Sequence, residues 1–223
     1  MIFPNRTVAG RWLAAELEQY RPADPVVLAL PRGGVPVAYE VAHALEAQLD
    51  VLVVRKLGAP GQPEFAIGAV APGVVVLDEE TLFLLSVPRE YVARVVERER
   101  REVSRRAAAF RDPAWAVEVG GRTALIVDDG MATGSTMLAA VDCVRKRGAA
   151  RVVVAVPVAS PDAVRRVRAR ADDVVCLESP AEFFAVGAWY EDFTQTSDEE
   201  VRLLLKRAWL EYEARFHGSA STP

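Results

Sequence analysis

Leu125-Ile-Val-Asp-Asp-Gly-Met-Ala-Thr-Gly-Ser-Thr136 passes from an apolar segment through two acids into small residues, and a helical pattern follows from Thr136 to Lys146. A strand that is apolar at every position has both sheet faces covered, the mark of a parallel sheet clothed by helices. Ligands of such sheets gather at the carboxyl ends of the strands. A small-residue loop that enters a helix there offers backbone N–H groups to an anion, and the helix dipole assists. Gly130 and Gly134 allow close backbone approach, while Thr133, Ser135 and Thr136 add hydroxyl donors. The loop therefore suits a phosphate. Asp128 and Asp129 would repel that phosphate if they touched it; they suit the vicinal hydroxyls of a sugar, or a bound cation. A phosphate cradle beside a diol binder is what a ribose 5-phosphate requires. No Lys precedes Ser135 or Thr136, as a P-loop demands, and no GxGxxG follows the first strand.

The surrounding pattern extends this unit in both directions. Apolar runs at 26–30, 51–54, 123–127, 151–156 and 174–177 read as buried strands, and Val35–Gln48, Thr136–Lys146 and Asp162–Arg170 read as helices. The alternation predicts an α/β fold with a doubly wound, mostly parallel sheet. Residues 56–77 are rich in Gly and Pro and end in a short strand, Val74–Leu77. Residues 79–110 read as helix, with Ser86 able to cap and Pro88 near the first turn. Tyr91, Val95, Val96, Val103, Ala107 and Phe110 fall along one side, and Glu–Arg pairs fill the rest. Such an insert suits either a lid or a dimer contact. Ser197–Phe216 reads as a final scaffold helix with a capping-box-like start at Ser197, Glu199 and Glu200. We expect one domain over 1–217, with the insert at about 79–112, a hood-like segment at about 178–196, and a disordered tail at 218–223.

Composition narrows the function classes. The net charge is −4, from 27 basic and 31 acidic residues among 223, so the whole-chain charge lends no support to nucleic acid as a partner. Cys143 and Cys176 form no CxxC and no cluster with His43 or His217, and read as buried reduced thiols. The opening residues show no signal-peptide pattern and no apolar run reaches membrane-spanning length, so a soluble, cytoplasmic protein without a membrane partner is expected.

Four apolar residues, two acids and the Thr-Gly-Ser-Thr ending closely resemble the phosphoribosyl pyrophosphate (PRPP) motif of type I phosphoribosyltransferases. The resemblance implies that Asp128 and Asp129 hold the ribose hydroxyls and are the catalytic acids. It implies that Met131, Ala132, Thr133, Gly134, Ser135 and Thr136 bind the 5-phosphate. The turn Pro31-Arg-Gly-Gly-Val35 after the first strand matches the family's pyrophosphate turn, often built on a strained non-proline peptide. Arg32 supplies a fork for phosphate oxygens, and Gly33 and Gly34 allow close approach. Arg55-Lys56 resembles the pair that precedes a flexible closing loop, here Leu57–Phe65, and makes Lys56 a second pyrophosphate candidate. Arg105, Arg106 and Arg111 are phosphate partners only if the insert folds over the site; a solvated helix face is the simpler reading.

The family lines its base pocket from the end of the fourth strand and from a hood. Ala159 and Ser160 hold the first position; Trp189, Tyr190 and Asp192, within the aromatic stretch Phe183–Phe193, hold the second. These rings serve equally well as core. The implied reaction transfers the phosphoribosyl group of PRPP to a nitrogenous, purine-like base with release of pyrophosphate. Mg²⁺ would be held by substrate oxygens, and the carboxylates would stabilise an oxocarbenium-like state. A homodimer is a family habit. The alternative function is a PRPP- or nucleotide-sensing regulator without turnover. A sugar-phosphate hydrolase would need a base or metal cluster that the sequence lacks.

Overall fold

The structure, a computed structural model, describes residues 1–110 and 115–216. Arg111, His217 and the expected tail at 218–223 lie outside the described residues.

Five strands form the central sheet: β1 (Val26–Ala29), β2 (Gln48–Val51), β6 (Thr123–Val127), β7 (Arg151–Val158) and β8 (Asp173–Glu178). Their order is β2-β1-β6-β7-β8, and every pairing is parallel. Helices α1 (Arg6–Leu17), α2 (Gly34–Leu45) and α7 (Asp198–Phe216) share one apolar core with one face of the sheet. Helices α5 (Ser135–Lys146) and α6 (Pro161–Arg168) cover the other. The doubly wound α/β expectation holds. Val26, Val27, Leu28, Leu125, Ile126, Val153 and Val154 are fully buried, each worth about 2 kcal/mol of apolar burial. This two-sided burial is why the strands read as unbroken apolar runs.

Three expectations are corrected. The second strand is Gln48–Val51, not 51–54. Its polar residues are satisfied inside the fold: Asp50, only 2 % exposed, accepts hydrogen bonds from the Val51 and Val117 amides, and Gln48 meets Arg122. Apolar periodicity cannot register such partners, so it favours the greasier run that follows.

Residues 56–77, read as a Gly- and Pro-rich stretch with a flexible loop at Leu57–Phe65 and a strand at Val74–Leu77, join Arg55 in an antiparallel sheet of β3 (Arg55–Ala59), β4 (Gln62–Ala71) and β5 (Val74–Leu77). Two Pro-Gly pairs are its corners. Pro60-Gly61 and Pro72-Gly73 each link adjacent strands, with φ of 71° at Gly61 and 75° at Gly73. Pro followed by a positive-φ Gly is the chemistry of a type II turn.

The insert is two helices, α3 (Glu79–Leu84) and α4 (Arg89–Phe110). Asp78 caps α3 through the Thr81 amide, and Ser86, at φ 48°, turns the chain between the helices. Val95, Val103 and Phe110 bury one side of α4 in the α2–α7 core, and Tyr91 donates to the Gly58 carbonyl of β3. Glu99, 5 % exposed, anchors the helix to β3 through Arg55. The insert thus braces the small sheet. Arg105 and Arg106 both pair with Glu102 on the exposed side, which is the solvated-face reading.

The N-terminal helix α1 was not read from the sequence. Asn5 caps it by accepting from the Val8 amide, and Ala9, Leu13 and Leu17 bury its inner side. Ser197 caps α7 as expected, accepting from the Glu200 amide.

Candidate functional site

Parallel pairing of β1 with β6 and of β6 with β7 brings three strand ends together. The turn after β1, the acids after β6 and the segment after β7 therefore share one rim of the sheet. Leu30 donates to the Val127 carbonyl, which fastens the β1 turn to the end of β6. The Pro31–Arg32 peptide there is cis.

Gly33 and Gly34 face the acids directly. A Cβ on Gly33 would lie 2.0 Å from Asp129 Oδ2, and one on Gly34 would lie 2.8 Å from the Val127 carbonyl oxygen and 3.0 Å from Asp128 Oδ1. Only hydrogen at these two positions lets the turn lie against the carboxylates. The Arg32 side chain is 38 % exposed, with Nη1 3.4 Å from Asp198 at the start of α7.

Asp128 Oδ1 accepts from the Asp129 amide at 2.8 Å, so the first acid braces the second. Burial lifts the Asp128 carboxyl well above the usual carboxylate range, and the neighbouring charge of Asp129 adds to that. Burial also raises Asp129, while the Arg6 guanidinium opposes it. Both carboxyls are therefore harder to ionise than a free acid, and Arg6 works toward the charged form of Asp129. Arg6 Nε donates to Asp129 Oδ2 at 2.8 Å, and Tyr190 donates its hydroxyl to the Asp129 carbonyl at 2.6 Å.

The loop beyond is held from the side. The Ser160 amide donates to the Met131 carbonyl, the Ser160 hydroxyl to the Ala132 carbonyl at 2.7 Å, and Arg166 Nη1 to the Thr133 carbonyl at 2.8 Å. Three consecutive carbonyls are thus committed to the segment after β7. Gly134, at φ 72°, precedes the first turn of α5. The hydroxyls of Thr133 and Ser135 lie 3.2 Å apart at that turn. The loop holds no cation of its own, and an anion there would meet backbone amides, hydroxyls and a helix N-terminus.

The remaining expected residues divide. Lys56 lies on β3 rather than at the end of the second strand, and shares with Ser135 and Arg166 the lining of a cleft of about 890 Å³ between the small sheet, α5 and α6. Ala159 is fully buried and bridged to Met131, so it supports the loop and has no surface to offer a base. Ser160 is spent on the loop and on capping α6 through the Ala163 amide. The hood-like segment is extended chain with one 3-10 turn, Val186–Trp189. Trp189 is half-buried, Tyr190 is buried against Phe3, and Asp192 is exposed, held low by hydrogen bonds from Thr194. Phe193 lies beneath the Arg6 guanidinium, 3.9 Å from ring centre to Cζ. The aromatic stretch therefore serves partly as core and partly as the wall beside Asp129.

Sequence reasoning missed Arg6 and Arg166. Arg6 is 123 residues from its acid and carries no local signal; Arg166 sits in an arginine-rich helix end that reads as solvated.

Among the described residues, no three His, Cys, Asp or Glu side chains gather as a metal site. No described helix is long and apolar enough to cross a membrane.

Residues 4–192 match the family model for the phosphoribosyl transferase domain. Two Mycobacterium tuberculosis proteins, from strains CDC 1551 and H37Rv and each named "putative phosphoribosyl transferase", are 48% identical over all of this chain, which covers 51% of their length. The chain thus spans about half the length of these relatives. A 57-residue stretch, 26% of the chain, is 39% identical to 27% of a uracil phosphoribosyltransferase of Acinetobacter baylyi. The crystal structure of the protein TT1426 from Thermus thermophilus is 48% identical and superposes with a TM-score of 0.87, covering 93% of this chain and 99% of that one.

Proposed function

The chain belongs to the phosphoribosyl transferase domain family, and on that premise we propose that it moves the 5-phosphoribosyl group of PRPP onto a nitrogenous, purine-like base and releases pyrophosphate. The observation that carries this reading is the contact of Gly33 and Gly34 with Asp129 and Asp128, which joins two half-sites on one rim. Asp128 and Asp129 bind the ribose hydroxyls, Met131–Thr136 take the 5-phosphate, and Arg32, Gly33 and Gly34 take the pyrophosphate. Lys56, in the lining of the neighbouring cleft, adds a second pyrophosphate contact. Trp189, Tyr190 and Asp192 border the acceptor side.

Displacement at C1 of the ribose needs no side-chain nucleophile, because the bond to pyrophosphate breaks as positive charge builds on the sugar. Asp129, whose charged form Arg6 favours, faces the developing charge, and a fixed carboxylate stabilises it without reorganising. Asp128 keeps Asp129 in place through its amide. The rim is half-buried, and the close approach of Gly33 to Asp129 narrows the access of water to the acids. The two carboxylates beside an amide-lined turn fit a sugar whose metal is carried by its own oxygens. Mg²⁺ on the pyrophosphate and ribose oxygens would neutralise the leaving group. A cytoplasmic homodimer completes the proposal.

The test is direct. The protein is mixed with PRPP, Mg²⁺ and a panel of purine and pyrimidine bases, and pyrophosphate release is recorded. Base-dependent release is the expected result. PRPP binding without release on any base would replace this reading with a PRPP-sensing role.

A further inference from the structure

Arg6 occupies an unusual place. It is the first residue of α1, yet its side chain is only 11 % exposed and reaches into the rim. Its guanidinium lies over the Phe193 ring, 3.9 Å from the centroid. Nε donates to Asp129 Oδ2 at 2.8 Å and Nη1 to the Thr194 carbonyl at 2.7 Å. The planar fork is thus held on one face and at two donors, which leaves little rotational freedom. Asp129 is held as tightly: Arg6 and Gly33 both face Oδ2, Asp128 takes its amide and Tyr190 its carbonyl.

A carboxylate has two oxygens. Oδ2 is held by Arg6, and the Asp128 carboxyl interacts with the Asp129 side chain as well, so the plane of the Asp129 carboxylate is set by its partners. The pattern is that of an acid set by one partner to receive another. Charge supports it, since Arg6 is the only cation within ion-pair distance of either acid among the described residues. The groups that face Asp129 are Asp128 from its own loop, Arg6 from α1 and Tyr190 from the segment after β8.

We infer that Arg6 is a positioning residue for the sugar: by gripping Oδ2 it fixes the plane of the Asp129 carboxylate for the vicinal hydroxyls, and so makes the N-terminal helix part of the ribose site. The inference rests on the proposed function.

Calorimetric titrations of wild type, Arg6→Met and Arg6→Lys with PRPP and, separately, with inorganic pyrophosphate, each with Mg²⁺, test both and keep them apart. Arg6→Met should weaken PRPP binding about ten-fold or more, the scale of one charge-assisted hydrogen bond, and leave pyrophosphate within about two-fold. Arg6→Lys restores the charge without the fork and should fall between. A merely structural Arg6 would lower both affinities together, which overturns the inference. Unchanged or tighter PRPP binding in Arg6→Met overturns it as well. If Arg6→Met fails to fold, Arg6→Lys decides alone: wild-type PRPP affinity contradicts the inference, and selective loss of PRPP supports it. A wild-type protein that binds neither ligand overturns the proposed function itself, and the inference with it.

Discussion

Substitution of Gly33 by Ala isolates the contact on which the site depends. The backbone at Gly33 lies at φ −60° and ψ −33°, a conformation that Ala adopts freely. The added methyl therefore costs the fold nothing through the chain, and restricting the unfolded state returns about 0.4–1 kcal/mol. The whole effect falls on Asp129. The new Cβ would sit 2.0 Å from Oδ2 and 2.7 Å from Cγ. Ordinary contact lies at about 3.5 Å, so the carboxylate must retreat by more than about 1 Å. It has poor freedom to do so, because Arg6 holds Oδ2 and Tyr190 holds the backbone carbonyl. A displacement of about 1 Å in a group that orients the reacting sugar costs about 10²-fold. Urea unfolding should show a loss of about 1–3 kcal/mol from the forced shift of the held carboxylate, and calorimetry should show PRPP affinity lowered by about two orders of magnitude. Wild-type PRPP affinity in a folded Gly33→Ala protein would refute the reasoning, because the acids and the turn would then not act together.

Three further outcomes follow from the geometry. Tyr190→Phe removes a buried donor from the Asp129 carbonyl and should cost about 1–3 kcal/mol in denaturant unfolding, without changing the secondary structure seen by circular dichroism. Glu99 is desolvated, which works to raise its pKa, but Arg55 and Arg98 outweigh burial and hold it below its ordinary 4.5. Its stabilisation is therefore complete above pH 4.5 and lost as pH falls through the depressed folded value, so Glu99→Gln should flatten the stability–pH curve in that acid window and not above it. Burial pushes the Cys143 and Cys176 thiols up to about 12 and about 11, so the folded protein should resist a thiol reagent at pH 8 and react at both sites once unfolded.

The central sheet was legible because parallel strands buried on both faces leave unbroken apolar runs, as at 123–127 and 151–156. The rim loop was legible because its chemistry is local: acids, small residues and a helix start lie within twelve positions. The small sheet was not, because its two Pro-Gly corners read as loop composition rather than as turns with strands on either side. The edge strand Gln48–Val51 was misplaced because Asp50 and Gln48 are paired by residues about seventy positions away. The same distance effect hid Arg6, whose partner is 123 residues along the chain. Ser160 shows a subtler limit. Its position at the rim was foreseen, but whether a hydroxyl faces a ligand or a neighbouring carbonyl depends on loop geometry, and here it holds the Ala132 carbonyl.

The central claim is that Asp129 receives the ribose hydroxyls of PRPP. Asp129→Asn keeps the size and removes the charge, so calorimetric titration of this variant with PRPP and Mg²⁺ addresses it most directly. Affinity should fall by about 10²-fold or more, while circular dichroism shows the protein still folded. Unchanged PRPP affinity in that folded variant would contradict the account.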